Sequence, residues 1–142
     1  MKLTLNIATL VSFAAAAAFA QGVGDPAAGK RAYSQCQSCH VVVDDDGNTL
    51  AGRRARTGPN LFGMIGKQAG TVEGFRYSRE LVEAGERGLV WDEETFVAYS
   101  LDPVKFLRAF LDDSRARGKM TFKVRKPGDA ADLYAFIESV GP

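Results

Sequence analysis

Cys36-Gln37-Ser38-Cys39-His40 gathers both cysteines and the only histidine of the chain. Two thiols three residues apart can reach the two vinyl groups of one porphyrin and close thioethers to them. The residue that follows then lies under the ring, where its imidazole can bind the iron. This is the C-x-x-C-H attachment pattern of haem c, and imidazole is a standard axial ligand of haem iron. Three other chemistries share the spacing. A thioredoxin-like dithiol expects a βαβ setting, and none is visible. A zinc site wants four ligands, so a carboxylate would have to join two Cys and one His. A disulfide across two intervening residues closes too short a loop to add much stability.

A haem iron with one imidazole has a second axial position to fill, and no second histidine exists. Lysine is protonated unless strongly desolvated. Methionine sulfur is the natural candidate, and His/Met ligation raises the reduction potential. Of the three methionines, Met1 falls in the leader described below. Met64 lies in the apolar run Leu61-Phe62-Gly63-Met64-Ile65, where it reads as core filler. Met120 stands in the loop Gly118-Lys119-Met120-Thr121-Phe122. An apolar thioether in a polar loop needs a reason, and coordination supplies one. With both axial positions filled by protein, no open site is left for a substrate or oxygen. That arrangement favours electron transfer over catalysis at the iron.

The residues around these ligands set the context. Residues 1–20 read as a secretory signal, with Lys2 at the start, an alanine-rich apolar stretch from Leu10 to Ala18, and Ala18-Phe19-Ala20 as a small-x-small cleavage site before Gln21. A membrane span needs about 20 apolar residues, and Lys2, Thr4, Asn6, Thr9 and Ser12 interrupt this one. Export to the periplasm would expose free thiols to oxidation, which thioether formation avoids. Residues 21–142 then form one domain. Lys2 is the only charge in the leader, so the mature chain balances 17 basic against 17 acidic residues. Bulk charge therefore argues against a nucleic-acid binder. At 46% apolar and 25% charged residues the composition is that of an ordinary globular domain with a real core.

The elements that must position the ligands are mostly helical. Asp25 caps and Pro26 opens a helix expected to reach about Gln37, with Gly29, Ala32, Tyr33 and Cys36 on one face. Gly29 there reads as a place where another helix approaches closely. Residues 41–60 follow as a long loop in which Asp44-Asp45-Asp46-Gly47-Asn48 is a turn rather than a calcium loop. Arg53, Arg54 and Arg56 read as surface. Short helices are expected over 61–65, over 77–84 with Gly85 as the stop, over 93–101 behind Asp92, and over 103–111 behind Asp102 and Pro103. Phe106, Leu107, Phe110 and Leu111 should line the apolar side of the last of these. Residues 114–125 read as a loop with no acidic residue. A final helix should start at Gly128 or Asp129 and run to about Val140, burying Leu133, Phe136, Ile137 and Val140. The only strand signal is Val41-Val42-Val43, so the fold class is all-α.

In order along the chain, Gly24-Asp25-Pro26 with Gly29, the Cys36–His40 motif, Thr57-Gly58-Pro59-Asn60-Leu61, Phe75-x-Tyr77, Trp91-Asp92-Glu93-Glu94, Asp102-Pro103, Gly118-Lys119-Met120-Thr121-Phe122 and the last helix resemble a class I c-type cytochrome. The likeness is to the bacterial cytochrome c2 / c550 group and covers essentially all of 21–142. It implies short helices wrapped around one covalently bound haem c. It implies thioethers at Cys36 and Cys39, His40 as proximal and Met120 as distal ligand, and the Pro59 carbonyl on the free ring N–H of His40. Tyr77 and Trp91 would hydrogen-bond a haem propionate, and Tyr99 would lie near the Met120 sulfur. Lys67 stands where mitochondrial relatives carry an arginine near the propionates.

The implied protein is a soluble, monomeric one-electron carrier of the periplasm, not an enzyme. It would take electrons from the cytochrome bc1 complex to a photosynthetic reaction centre, a cytochrome oxidase, or both. Arg115, Arg117, Lys119, Lys123, Arg125 and Lys126, with Lys67 and Lys105, would form the docking face for an acidic partner. The competing classes are a haem peroxidase or dehydrogenase subunit, and a thiol–disulfide oxidoreductase.

Overall fold

The computed structural model describes residues 24–142, so the expected leader and its cleavage site lie outside the described residues. Five helices carry the fold: α1 (Pro26–Ala32), α2 (Arg79–Glu86), α3 (Glu93–Leu101), α4 (Pro103–Leu111) and α5 (Pro127–Ser139). Two short antiparallel strands, β1 (Val42–Val43) and β2 (Thr49–Ala51), close the turn that follows the cysteine motif. The all-α expectation therefore holds, with one small hairpin added.

The capping residues do what their types predict. Asp25 Oδ1 accepts from the Ala27 amide at 2.8 Å to start α1. Ser78 Oγ caps α2. Asp92 and Thr95 exchange hydrogen bonds at the start of α3, satisfying two amides that the helix itself leaves open. Asp102 Oδ1 accepts from the Lys105 amide at 3.1 Å to start α4.

The scaffold is built on the crossing of α1 and α5, the most extensive helix contact among the described residues. A side chain on Gly29 would put its Cβ 1.9 Å from the Asp132 carbonyl oxygen and 2.7 Å from the Phe136 Cβ. Only glycine admits that approach. Tyr33 continues the contact, its ring edge-on to Phe136 with centroids 5.7 Å apart. Asp25 adds a polar tie, its amide donating to Asp132 Oδ1 at 2.7 Å. Leu89, Leu107, Leu133 and Ile137 fill the centre.

Four expectations are corrected. The first helix does not continue to Gln37: α1 ends at Ala32 and tightens into a 3-10 turn, Tyr33–Gln35. Residues 61–65 form turns instead of a helix, because Gly63 (φ 61°) and Gly66 (φ 76°) take the left-handed conformation. Gly85 does not stop its helix. It lies inside α2, where a Cβ would sit 2.0 Å from the Ala69 carbonyl oxygen, so it serves close packing. Phe110 is 37% exposed and stacks on Phe106, while Leu107 and Leu111 do the burying. The last helix starts at Pro127, one residue early, and Arg53, Arg54 and Arg56 are exposed as expected.

Candidate haem site

A deep, largely apolar cleft opens beside the cysteine motif and runs into the core. Cys36, Cys39, His40, Pro59, Tyr77, Trp91, Tyr99 and Met120 all line it, so the chain brings the residues expected around a haem to one place. They come from five separate stretches of the chain. Met64 lines it too and is 8% exposed within the core, which fits the filler role.

One wall is made by residues 36–41 laid against residues 57–61. Backbone hydrogen bonds coil the motif, from the Cys39 and His40 amides to the Cys36 carbonyl at 3.0 and 2.9 Å. The Gly58 amide donates to the Cys39 carbonyl at 2.7 Å, and the Leu61 amide to the Val41 carbonyl at 2.9 Å. The Asn60 side chain bonds both the amide and the carbonyl of Val43, at 3.0 and 2.7 Å, and accepts from Phe62. His40 Nδ1 is 3.0 Å from the Pro59 carbonyl oxygen. A carbonyl can only accept, so Nδ1 carries the proton and Nε2 keeps its lone pair. A Cβ at Gly58 would fall 2.3–2.7 Å from three His40 ring atoms, so Gly58 provides the space for the imidazole.

The electrostatics suit neutral groups. Burial lowers the pKa of His40 against the opposing Pro59 bond, which favours uncharged imidazole. Burial, then the charge of Cys39, pushes the Cys36 thiol up to about 11. Burial, then the charge of Tyr77, pushes Tyr99 up to about 12. Tyr77 is raised by burial and partly offset by a Val72 backbone hydrogen bond.

The other wall is aromatic and sulfur-bearing. Trp91 and Tyr99 meet edge to face at 5.0 Å, and Tyr99 meets Phe106 at 5.8 Å. Phe75 and Tyr77 pack edge to face at 4.8 Å. Met120 reaches the cleft from the loop between α4 and α5. Lys119 Nζ donates to the Arg76 carbonyl and lies 5.7 Å over the Phe75 ring. Sequence reasoning missed the fixing roles of Gly58 and Asn60, although Thr57-Gly58-Pro59-Asn60 stood out as a turn.

These residues fit a haem. The cleft walls include Leu61, Leu81, Phe96, Leu133 and Ile137, which are also core residues, so a large apolar group would complete the interior. Two thiols one turn apart stand in its wall, beside an imidazole with a free lone pair. Among the described residues no three or more Cys, His, Asp or Glu side chains are gathered as a metal-ion site.

Comparison with known proteins agrees. The chain is 52% identical over 135 residues to cytochrome c2 of Cereibacter sphaeroides, covering 94% of this chain and 92% of that one. It is 49% identical to cytochrome c-551 of Roseobacter denitrificans over 140 residues, covering 99% and 96% of the two chains. The solved structure of cytochrome c2 from Rhodobacter sphaeroides superposes with a TM-score of 0.81 at 53% identity, over 83% of this chain and 97% of that one. No protein-family model matches. The chain belongs to the class I c-type cytochromes, within the cytochrome c2 / c-550 group. It is an electron-transport protein, and its cofactor is haem c.

Proposed function

We propose that this chain is a one-electron carrier whose haem iron is held between His40 and Met120. Cys36 and Cys39 anchor the haem by thioethers. Bound haem supplies a single reversible electron at its iron. The observation that carries this reading is that one apolar cleft receives both His40, with Nδ1 committed to Pro59, and Met120. His40 offers Nε2, and the Pro59 carbonyl fixes the ring and strengthens its donation. The apolar wall keeps water out and favours the less charged ferrous state. Tyr77 and Trp91 stand ready for the propionates, with Tyr99 beside the sulfur loop. With His40 and Met120 both given to the iron, no place would be left there for a substrate, which favours an electron carrier over an enzyme.

The route runs from the cytochrome bc1 complex to a photosynthetic reaction centre, a cytochrome oxidase, or both, in the periplasm, after residues 1–20 are removed from a monomeric domain of residues 21–142. No helix among the described residues is long and apolar enough to cross a membrane. Transient docking would be guided by charge. Arg117, Arg125 and Lys126 are exposed and make no ion pair among the described residues, and Lys67 and Lys105 are exposed as well. Lys119 and Lys123 are tied down within the molecule, so Arg117, Arg125 and Lys126 are the better positions for charge reversal.

Met120→Ala tests the centre of the reading. It should lower the reduction potential and abolish the sulfur-to-iron absorption of the ferric protein, with haem still covalently bound on a denaturing gel. An unaltered spectrum and potential would remove Met120 as ligand. Reduction by purified bc1 complex, followed against ionic strength, tests the partner.

A further inference from the structure

The loop that carries Met120 is held in an unusual way. Between Ala116 and Val124 no backbone–backbone hydrogen bond ties it down among the described residues. At its far end the Val124 amide donates to the Ser100 carbonyl at 2.9 Å. Beside that bond, Lys123 Nζ sits 2.6 Å from Asp102 Oδ2. On the near side Lys119 reaches the Arg76 carbonyl. Two lysines thus bracket Met120, one adjacent and one three residues on.

Asp102 is shared between two tasks. Its Oδ1 caps α4 through the Lys105 amide, and its Oδ2 takes the lysine. It also directly follows α3, two residues after Ser100 and three after Tyr99, both of which line the cleft. One carboxylate therefore links the start of α4, the cleft wall and the sulfur loop. We propose that Asp102 and Lys123 are a positioning pair that keeps Met120 directed into the cleft. The inference rests on Met120 being the distal ligand. The side chains are 32% and 55% exposed. A pair so placed is weak and screened by salt, so the loop's closure depends on ionic strength.

Imidazole titration of the ferric, haem-loaded protein reads this directly, because added imidazole competes with Met120 for the iron. Asp102→Asn removes the charge and keeps a good capping oxygen. Lys123→Gln removes the other charge and leaves the cap untouched. Each should raise imidazole affinity about threefold at low salt, the scale of an exposed pair. The double variant should gain no more than either single one, since both remove one interaction. The wild-type affinity should rise toward the variants as salt increases, while the denaturant midpoint of all three stays nearly level. Unchanged affinity in both single variants, or additive gains, would overturn the pair. So would a response in Asp102→Asn alone accompanied by a lower midpoint, which would assign the effect to the helix cap. Met120→Ala separates the two layers. If it binds imidazole no more tightly than wild type, the ligation reading fails. If it binds far more tightly while the charge variants do not respond, only the positioning pair fails.

Discussion

The two walls of the cleft are held by different physics. The His40 wall is local and backbone-bonded: five residues of motif, a neighbouring segment five residues long, and hydrogen bonds of 2.7–3.0 Å from Gly58, Cys39 and His40. The Met120 wall is a long-range assembly. Its sulfur lies in a loop fastened by side chains at Lys119 and Lys123 and by one amide at Val124. On the ligation proposed above, a rigid backbone would orient His40 while the haem is attached, and a loop held by exposed charges would let Met120 close the site afterwards.

Glycine-to-alanine substitutions break this comparison most strongly. Gly58→Ala would place its Cβ within 2.7 Å of three His40 ring atoms, and the ring is pinned by Pro59. We expect a loss of about 2 kcal/mol or more in denaturant unfolding, with a disturbed haem spectrum. Gly118→Ala on the other wall meets only the tip of Leu107 at 3.0 Å and should cost less than about 1 kcal/mol. Equal losses would mean the walls are equally rigid.

Acid sharpens the contrast next. The Thr95 backbone and side-chain bonds hold Asp92 below the usual carboxylate range, and the Lys123 bond, then the Lys105 amide, does the same for Asp102. A depressed carboxylate contributes stability above its unfolded pKa and loses it as pH falls through the folded one. The thermal unfolding midpoint should therefore fall as the pH drops below about 4. Within that range Asp102→Asn should flatten part of the pH dependence and should leave the Asp92 share in place. A pH profile identical to wild type would rule out the Asp102 contribution.

The smallest effect concerns Tyr33, behind the His40 wall. Its hydroxyl is buried without a hydrogen-bond partner among the described residues, and burial raises its pKa. Tyr33→Phe should be neutral or stabilise by about 1 kcal/mol in denaturant unfolding. A clear loss of stability would show that the hydroxyl does have a polar tie.

The contrast also explains what could be read from the sequence. The cysteine motif, α3 and α4 were legible because capping and attachment act over a few residues. Asp92, Asp102 and Pro103 mark true starts. The turns at 61–66 and the α2 end were not, because Gly63, Gly66 and Gly85 look alike in sequence while two serve backbone conformation and one serves packing. β2 was missed because its residues are exposed or half-exposed and carry no alternation. Pro59, Tyr77, Trp91 and Tyr99 entered only through family likeness, since nothing local says that separate stretches converge. The partners of Lys119 and Lys123 lie 43 and 21 residues away and were invisible for the same reason.

Part of the core doubles as the lining of the cleft: Leu61, Leu81, Phe96, Leu133 and Ile137 belong to both. Such a chain has its interior furnished from outside. Before the pigment is stitched on, α1 and α5 can still meet, but the side chains that face the cleft have nothing to close around. Assembly should thus run in one direction: stitching of the two sulfurs first, then a closed shell, with the late loop shutting last.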